Sequence, residues 1–371
     1  MNKILSPYNS TAKNIAYFIS PHGFGHAARA CAVIQAALAV QPDLHFHLFT
    51  TIPEWFFTNS LESNWTYHSA LIDIGLVQKT AFQEDVDATL RELERFLPFS
   101  ESKIQHFADR MHALACQFVI SDIAPLGLAA AAKAGLPSVL IENFTWDWIY
   151  AGYPARRNDF QPWIDYFAGV FKLATYHIQT QPFCGDIVAD LITLPVSRKK
   201  RLTRPVMREV LHIPPAQRTV LVSLGGVPER MDVSSLKTAF PDTLFIIPGG
   251  SDDERRTENL LLLPHHHPYV HPDLVGASDA VVGKVGYSTI SEVYWAGVPF
   301  AFISRPAFRE SSPLVDFIKH NIAGIELTQK EFENGAWQHQ IGTLLDFSIA
   351  KRSGMNGADQ IASFLASVVF N

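Results

Sequence analysis

Two histidines enclose a glycine turn directly after the first predicted β-strand, in the segment HGFGH at residues 22–26. Gly23 and Gly25 permit a tight turn and a close approach of the backbone to a ligand. The helix predicted from about Ala27 would direct free N–H groups to the same place, and its positive end favours the neutral imidazole that a general base needs. We therefore expect His26 either to act as a general base or only to hydrogen-bond to the backbone of the turn.

A second glycine turn, GKVGYSTISE at residues 283–292, lies between another predicted strand and helix. A helix beginning at Ser288 or Thr289 would offer N–H groups, its dipole and two hydroxyls to an anion. Gly286 would shape the turn, and Lys284 would add a positive charge nearby. This combination suits a diphosphate and needs no metal ion, although the spacing is not that of a Walker loop.

Glu292, one turn inside that helix, fits two roles. Thr289 and Glu292 have the spacing of a capping box, in which the carboxylate only closes the start of the helix. Alternatively, the carboxylate accepts hydrogen bonds from the two hydroxyls of a ribose. The spacing fits both roles equally.

The second half of the chain also opens with a strand that runs into a glycine turn, at Gly225 and Gly226, with Arg230 close behind. This turn could contact a phosphate or simply connect a strand to a helix. Neither half has the G-x-G-x-x-G spacing of a dinucleotide site, and no acidic residue ends the second predicted strand at residues 44–50. Both facts argue against an NAD-binding site.

An aromatic segment, ENFTWDWIY at residues 142–150, follows a predicted strand in the first half. Aromatic faces can stack on the C–H surfaces of sugars, with Asn143 or Asp147 ordering hydroxyls beside Trp146. Packing within the core or between domains would explain the same residues. Asp122, at the end of its predicted strand, is a further candidate base or a cap for the next turn.

Four histidines within residues 265–271 raise the question of a metal site. No carboxylate or cysteine accompanies them, and Pro268 and Pro272 hold the segment extended, so we expect a surface loop and no metal. Asp85 and Asp87 open an amphipathic helix, where acidic residues complement the helix dipole, and we do not assign them to a metal.

The elements that must position these residues are short apolar runs separated by helical stretches. Runs that end at Gly, Pro, Asp or Asn are typical of buried parallel strands. Strands are predicted at residues 15–20, 44–50, 118–122, 138–143, 177–181, 219–226, 244–250, 280–284, 299–304 and 324–328. Helices are predicted at residues 27–40, 85–115 with a break at Pro98, 126–134, 289–296 and 358–370.

The chain has 371 residues, of which 47% are hydrophobic and 18% charged, with a formal net charge of −6. This predicts a globular protein and argues against a nucleic-acid partner held by a positive field. Three widely spaced cysteines, Cys31, Cys116 and Cys184, argue against a disulfide framework. Without an apolar signal core or an apolar run of membrane-spanning length, we expect a cytoplasmic protein with no transmembrane segment.

The strand–helix alternation pauses at residues 193–215, a charged segment with several prolines. We place a domain boundary there, between residues 1–197 and 198–371, and leave open that the last helix packs back on the first domain. The basic run at residues 197–201 is either a solvated linker or the start of a helix, or a site for phosphate or anionic lipid. The fold class predicted is α/β, with two Rossmann-like, doubly wound parallel sheets facing each other across a cleft.

These motifs, in this order, resemble the GT-B glycosyltransferases. Residues 284–299 are similar to the donor-binding segment of the peptidoglycan GlcNAc transferase and UDP-glycosyltransferase group. The closer resemblance, over nearly the whole chain, is to the glycosyltransferase-like N-terminal domain of plant L-arabinokinases, without their sugar-kinase domain. The matching stretches are residues 23–27, 121–125, 143–147, 225–226, 273–292, 299–302, 305–310 and 356–357.

The resemblance implies a role for each matching residue. His26 corresponds to the proposed base, Glu292 to the acid that holds the donor ribose, and Ser288 and Thr289 to the diphosphate site. Tyr269 and Val270 fall where backbone groups meet the nucleotide base, and Glu310 lies in the loop that usually touches the donor sugar. In that loop Arg309-Glu310-Ser311 replaces the usual Asp-Gln or Gln pair, which leaves the donor sugar undetermined.

The resemblance thus implies an inverting, metal-independent transfer of a sugar from a nucleotide sugar, preferably UDP-linked, to an unknown hydroxyl acceptor. The nucleotide sugar is a co-substrate, and no cofactor is implied. The first domain would bind the acceptor and the second the donor. The alternatives are a non-catalytic sugar or nucleotide-sugar binding protein and a sugar-nucleotide epimerase. We expect a monomer or homodimer, and leave open peripheral contact of the aromatic segment with a membrane.

Overall fold

The computed structural model describes residues 13–80, 82–185, 187–225, 236 and 239–369. The described chain contains a seven-stranded sheet in each half. Helices alternate with the strands in both halves, and a cleft lies between them. The expected architecture of two doubly wound α/β domains is therefore confirmed.

The N-terminal sheet is parallel throughout, with strand order β3-β2-β1-β4-β5-β6-β7. Most of its strands are apolar along their length, as expected for strands covered on both faces. They are β1 Lys13–Ile19, β2 Leu44–Thr50, β3 Trp65–Ser69, β4 Cys116–Asp122, β5 Ser138–Glu142, β6 Tyr176–Thr180 and β7 Leu191–Thr193.

Alternate residues of β1 point to opposite faces of this sheet, and each face has its own core. Phe18 packs on one face, stacked on Phe49 at 4.7 Å between ring centroids, whereas Tyr17 and Ile19 pack on the other. The helices of this half are α1 Phe24–Val40, α2 Glu54–Ser60, α3 Val86–Phe96, α4 Glu101–Ala113, α5 Pro125–Ala134, α6 Trp146–Tyr150 and α7 Arg157–Phe171.

The C-terminal sheet has strand order β10-β11-β9-β8-β12-β13-β14, parallel except for the pair β10 and β11. Its strands are β8 Arg218–Ser223, β9 Thr243–Pro248, β10 Arg255–Arg256, β11 Leu260–Leu263, β12 Ala280–Lys284, β13 Phe300–Ile303 and β14 Gly324–Leu327. The helices from the connector onwards are α8 Arg204–Val210, α9 His271–Ala277, α10 Tyr287–Ala296, α11 Ser311–Asn321, α12 Gln329–Glu333, α13 Ile341–Asp346 and α14 Gly357–Val368.

The last helix, α14, packs on α1 in the N-terminal half. Ile361, Ala362 and Leu365 are fully buried in the same apolar cluster as the alanine-rich face of α1. The backbone N–H of Leu194 donates to the Gln360 side chain at 2.8 Å, which fixes the helix against the connector. No helix among the described residues is both long and apolar enough to cross a membrane.

The two helices that follow the glycine turns begin earlier than predicted. Helix α1 starts at Phe24, three residues before Ala27, because Gly23 adopts a φ of 82° that turns the chain sharply into the helix. Helix α10 starts at Tyr287 after Gly286. His26 therefore lies within the first turn of its helix, with its side chain directed by that turn.

Several elements were not predicted. The edge strand β3 contains no apolar run, and the strands β7 and β11 are only three and four residues long. The helical stretch predicted at residues 85–115 with a break at Pro98 is confirmed as two helices, α3 and α4. The segment at residues 193–215 contains the short helix α8 and is not a plain connector.

Candidate active site

A cavity of about 470 Å³ lies in the cleft, where the carboxyl ends of strands from both sheets face each other. Most of the residues predicted from the sequence to bind or react line it. They are Gly23, Gly25, His26, Asn143, Gly225, Tyr269, Val270, Lys284, Gly286, Ser288, Thr289, Glu292 and Glu310. Asp122, Trp146 and Asp147 do not line it, and Gly226 and Arg230 lie outside the described residues.

His26 is held by Asp122, which lies behind the cavity wall, and Asp122 is held in turn by Arg29, which lines the cavity. Its Nδ1 atom lies 2.7 Å from a carboxylate oxygen of Asp122, which ends β4, the strand next to β1. Arg29, one turn further along α1, donates to both carboxylate oxygens of Asp122, at 2.6 and 2.7 Å. Adjacent strand ends and the three-residue helical spacing thus bring these side chains together.

This arrangement sets the tautomer of the His26 ring. Burial alone would raise the pKa of the Asp122 carboxyl, but Arg29 and His26 outweigh it and hold the pKa below its usual value. An ionised carboxylate only accepts hydrogen bonds, so Nδ1 of His26 carries the proton. Nε2 is then the basic atom of an imidazole that lines the cavity.

The neighbouring His22 is a neutral group at the same wall. Burial lowers its pKa to about 3, helped by the neighbouring His26 and Arg305. Its Nδ1 atom accepts a hydrogen bond from the backbone N–H of Leu76 at 3.3 Å. His22 can therefore donate from Nε2 but does not exchange a proton near neutral pH.

Across the cleft, the start of α10 faces the first glycine turn. A Cβ atom placed on Gly25 would lie 3.8 Å from Oγ of Ser288. Gly225, with a φ of 81°, packs against Lys284, whose Cε would lie 3.7 Å from a Cβ there. The helix N-terminus, two hydroxyls and Lys284 therefore face the same space, as an anion site requires.

Glu292 does not cap its helix, so the capping-box interpretation is wrong. The helix begins after Gly286 without any side-chain cap, and the Glu292 carboxylate turns to other partners. Arg198 donates to Oε1 at 3.0 Å, and Nδ1 of His271 donates to Oε2. Burial would raise the pKa of Glu292, but Arg198 and His271 hold it below its usual value. Glu292 is thus an oriented, ionised hydrogen-bond acceptor.

The chain can be compared with protein-family profiles, with curated proteins and with solved structures. No known protein-family profile matches the chain. The chain is 29% identical to L-arabinokinase of Arabidopsis thaliana over 355 residues, which is 94% of this chain. It spans about a third of the length of that protein, 34%.

Solved structures resemble the chain over almost its whole length. A UDP-glucosyltransferase from Polygonum tinctorium superposes with a TM-score of 0.66 at 13% identity, covering 97% of this chain and 99% of that one. MurG of Acinetobacter baumannii gives 0.53 at 14% identity, covering 96% and 100%, and the glycosyltransferase SnogD of Streptomyces nogalater gives 0.54 at 15%, covering 96% and 99%. The chain has the GT-B fold. The resemblance stated from the sequence, to GT-B glycosyltransferases and to L-arabinokinase, is confirmed.

Within this GT-B fold, the four-histidine segment contacts the opposite domain instead of forming a free surface loop. His265 stacks on Phe24 and His266 on Trp55, with ring centroids 5.6 and 4.6 Å apart. His271 donates a hydrogen bond from Nδ1 to the carboxylate of Glu292. No group of three or more His, Cys, Asp or Glu side chains within the described ranges is arranged to hold a metal ion.

The aromatic segment after β5 mostly packs in the core, so a stacking role for Trp146 is not supported. Trp146 is fully buried because its helix α6 turns it inward, and its Nε1 donates to Asp73 at 2.7 Å. Asp147 also lies away from the cavity lining. Asn143 does line it, between Arg29, which donates to its Oδ1, and Glu310, which accepts from its Nδ2 at 2.8 Å.

Four site residues were missed from the sequence, namely Arg29, Arg198, His271 and Arg305. Arg29 lies three residues after His26, and this helical spacing was the signal that could have revealed it. Arg198 belongs to the basic run, yet its side chain is only 9% exposed and reaches into the cleft. Arg305 lies beside Glu310 in the loop after β13.

Proposed function

We propose that this chain is an inverting glycosyltransferase that moves a sugar from a nucleotide sugar, preferably UDP-linked, to a hydroxyl acceptor. The observation that carries the proposal is the position of two partly preorganised sites in one cavity. His26, backed by Asp122, lines one wall, and the start of α10 with Glu292 lines the other. The GT-B fold of the UDP-glucosyltransferase neighbour supports the same assignment.

In the proposed reaction His26 is the catalytic base. Its Nε2 takes the proton of the acceptor hydroxyl while the hydroxyl oxygen attacks C1 of the donor sugar. The new C1–O bond forms as the bond from C1 to the diphosphate oxygen breaks, with the electron pair leaving on the diphosphate. Asp122 stabilises the imidazolium that results, as a carboxylate does in a hydrolase triad. Attack from the face opposite the leaving group inverts the anomeric centre.

In this scheme the second domain stabilises the negative charge on the departing diphosphate. The N–H groups at the start of α10, the hydroxyls of Ser288 and Thr289, and Lys284 supply positive potential in a partly enclosed cavity. These groups can take the place of a divalent cation, so we propose a metal-independent reaction. Glu292, with both oxygens oriented, would accept hydrogen bonds from the ribose hydroxyls.

The proposal is tested by incubating the protein with UDP-glucose, UDP-galactose and UDP-arabinose and a pooled panel of hydroxyl acceptors. Products are followed by mass spectrometry, with and without EDTA, and their anomeric configuration is read from NMR. We expect transfer that survives EDTA, gives the inverted anomer and is lost in His26→Ala. His112→Ala, an exposed histidine on α4 outside the cavity lining, is the matched control. Nucleotide binding without transfer to any acceptor would favour the non-catalytic alternative, and conversion without acceptor would favour an epimerase.

A further inference from the structure

A second groove lies on the N-terminal domain, between helix α4 and the edge of the sheet. It has a volume of about 690 Å³ and is open to solvent. Its walls come from α4, from the carboxyl ends of β2 and β3, and from residues 70–71 directly after β3. None of the residues that line the cavity in the cleft lines this groove, which we call the α4 groove.

Three basic side chains of α4 line the α4 groove. Lys103, His106 and Arg110 follow one another at intervals of three and four residues, which places them on one face of the helix. The described residues that line the groove include no Asp or Glu. The two acidic residues of α4, Glu101 and Asp109, make their hydrogen bonds to side chains outside the groove. The lining therefore carries positive charge without a counter-ion of its own.

Arg110 is held in place by two histidines and not by an acid. Its Nη2 atom donates to Nδ1 of His68 at 3.0 Å. Because that atom accepts, Nε2 of His68 carries the hydrogen and donates it to Nδ1 of the fully buried His47 at 3.1 Å. Burial, together with the charge of Arg110, lowers the pKa of His68 to about 4. The neutral histidines thus orient the guanidinium of Arg110 and leave its charge uncompensated.

Lys103 is a partly desolvated cation beside the same groove. Its Nζ atom lies 3.6 Å from the centre of the Phe96 ring, and no acidic partner belongs to it in the described part of the chain. Burial lowers the pKa of its ammonium. Arg95, on the neighbouring helix α3, differs because it pairs with Glu92 at 2.7 Å. A cation that has lost part of its water, with no acid beside it, gains most from an anionic ligand.

The other lining residues define the rest of the ligand. An oriented guanidinium matches the oxygens of a phosphate, and a phosphate monoester carries a charge of about −2 near neutral pH with three acceptor oxygens. Ser69 and Ser102 add hydroxyls to the lining. Leu71, at the rim, is 49% exposed, and the ring of Phe107 also lines the groove. These apolar surfaces suit the carbon skeleton of an organic phosphate better than a bare ion.

We propose that the α4 groove binds a small organic phosphate, with its phosphate group at Arg110 and its carbon skeleton against Leu71. Lys103 and His106 extend the positive potential along the ligand. Soluble sugar phosphates and the headgroup of phosphatidic acid share this chemistry, and the experiment separates them. The inference is independent of the proposed function, because the groove shares no lining residue with the cleft.

The experiment titrates inorganic phosphate, glycerol 3-phosphate and α-D-glucose 1-phosphate into the full chain by calorimetry at low ionic strength. We expect the organic phosphates to bind more tightly than inorganic phosphate. Their affinity should fall at least tenfold in Arg110→Met, which removes the charge-assisted hydrogen bonds, and several-fold in Lys103→Met. Arg95→Met removes the same charge from the exposed surface of α3 and should bind like the natural protein. Circular dichroism confirms that each variant is folded.

The cleft offers another place for an anion, and Lys284→Met distinguishes the two. Binding that persists in Lys284→Met and is lost in Arg110→Met would uphold the α4 groove. Binding lost in Lys284→Met and unchanged in Arg110→Met, or an equal loss in Arg95→Met, would overturn it.

A further arm uses vesicles of phosphatidylcholine with and without phosphatidic acid. Sedimentation with the acidic vesicles that is lost in Arg110→Met, without binding of the soluble phosphates, would uphold the phosphate site and assign it to a lipid headgroup. Absence of binding to every soluble probe and to both kinds of vesicle would overturn the inference. UDP binding, measured separately, reports on the proposed function and is not expected to change in Arg110→Met.

Discussion

Nδ1 of His26 lies 2.7 Å from the carboxylate of Asp122, although the two residues are 96 positions apart in the chain. The contact exists because β1 and β4 are neighbours in the sheet, and α1 begins directly after β1. It fixes the tautomer of His26 and leaves Nε2 as the basic atom. In the proposed reaction, the first domain thus presents an oriented base to a cavity whose other wall would hold the diphosphate.

The role of this pair predicts the behaviour of Asp122→Asn. The amide is neutral and no longer stabilises an imidazolium, so kcat should fall by about 10²–10⁴-fold. UDP affinity should stay within twofold, because Asp122 does not line the cavity. Steady-state kinetics and calorimetry measure the two effects. Asp109→Asn, at an exposed helix position, is the control, and an equal loss of UDP affinity would contradict the assignment.

The contact of Arg198 with Glu292 predicts a second effect, on UDP binding, that is separate from the effect of Asp122 on turnover. Removing its guanidinium leaves Glu292 buried with only His271 beside it, so the pKa of Glu292 should rise. Arg198→Met should weaken UDP binding about tenfold at pH 7. The UDP affinity of this variant should also depend more steeply on pH between 5 and 7. Lys199→Met, with a side chain 59% exposed, is the matched control in the same basic run. Unchanged UDP affinity in Arg198→Met would show that Glu292 needs no such support.

The features that were predictable from sequence are those encoded locally. A strand, a glycine turn and a helix start within ten residues define the proposed anion site at residues 283–292, and the same pattern defines the turn before His26. Buried parallel strands can also be recognised in the sequence as apolar runs between turn residues. The fold and the position of helix α10 therefore followed from short segments.

The features that were not predictable depend on distant partners. Arg29 meets Asp122 and Asn143 across 93 and 114 residues, and no local pattern records either contact. Trp146 has the composition of a sugar platform, but whether an aromatic side chain faces a cleft or a core is decided by the rotation of its short helix. From the sequence, Arg198 resembles a charged residue of a solvated linker. Its burial depends on residues distant in the chain, such as Glu292, and cannot be inferred from its own segment.

The buried neutral histidines predict acid-sensitive stability. The pKa of His22 is about 3 in the folded protein and near 6.5 when exposed, so between these values the unfolded chain binds a proton that the folded chain does not. Stability is then complete above about pH 6.5 and falls on acidification, by about 1.4 kcal/mol per pH unit for such a group. The pKa values of His47 and His68 are lowered in the same direction.

Urea unfolding at pH 7.5, 6.5 and 5.5 measures this dependence. The free energy of unfolding should decrease with each step, and the decrease should be smaller in His22→Gln. This window lies above the range in which Asp122 and Glu292 would take up protons, since their pKa values are lowered. Stability that stays level or rises down to pH 5.5 would contradict the neutral state of these histidines.

The return of α14 onto α1 predicts that the end of the chain stabilises the first domain. Ile361 is fully buried against α1, so Ile361→Ala should cost about 2–5 kcal/mol of unfolding free energy. Ser363→Ala, on the exposed side of the same helix, should change it by less than about 0.5 kcal/mol. Equal effects of the two substitutions in urea unfolding would show that the helix does not pack as described.

Calorimetric titration of UDP into the purified protein tests the central claim most directly. The account predicts binding that is unchanged by Mg²⁺ or EDTA, weakened at least tenfold in Glu292→Ala and retained in His26→Ala. GDP, ADP, dTDP and CMP titrated in the same way show whether the site prefers uracil. Absence of binding to every nucleotide, with the protein folded, would contradict the glycosyltransferase assignment, because no donor site would then face His26.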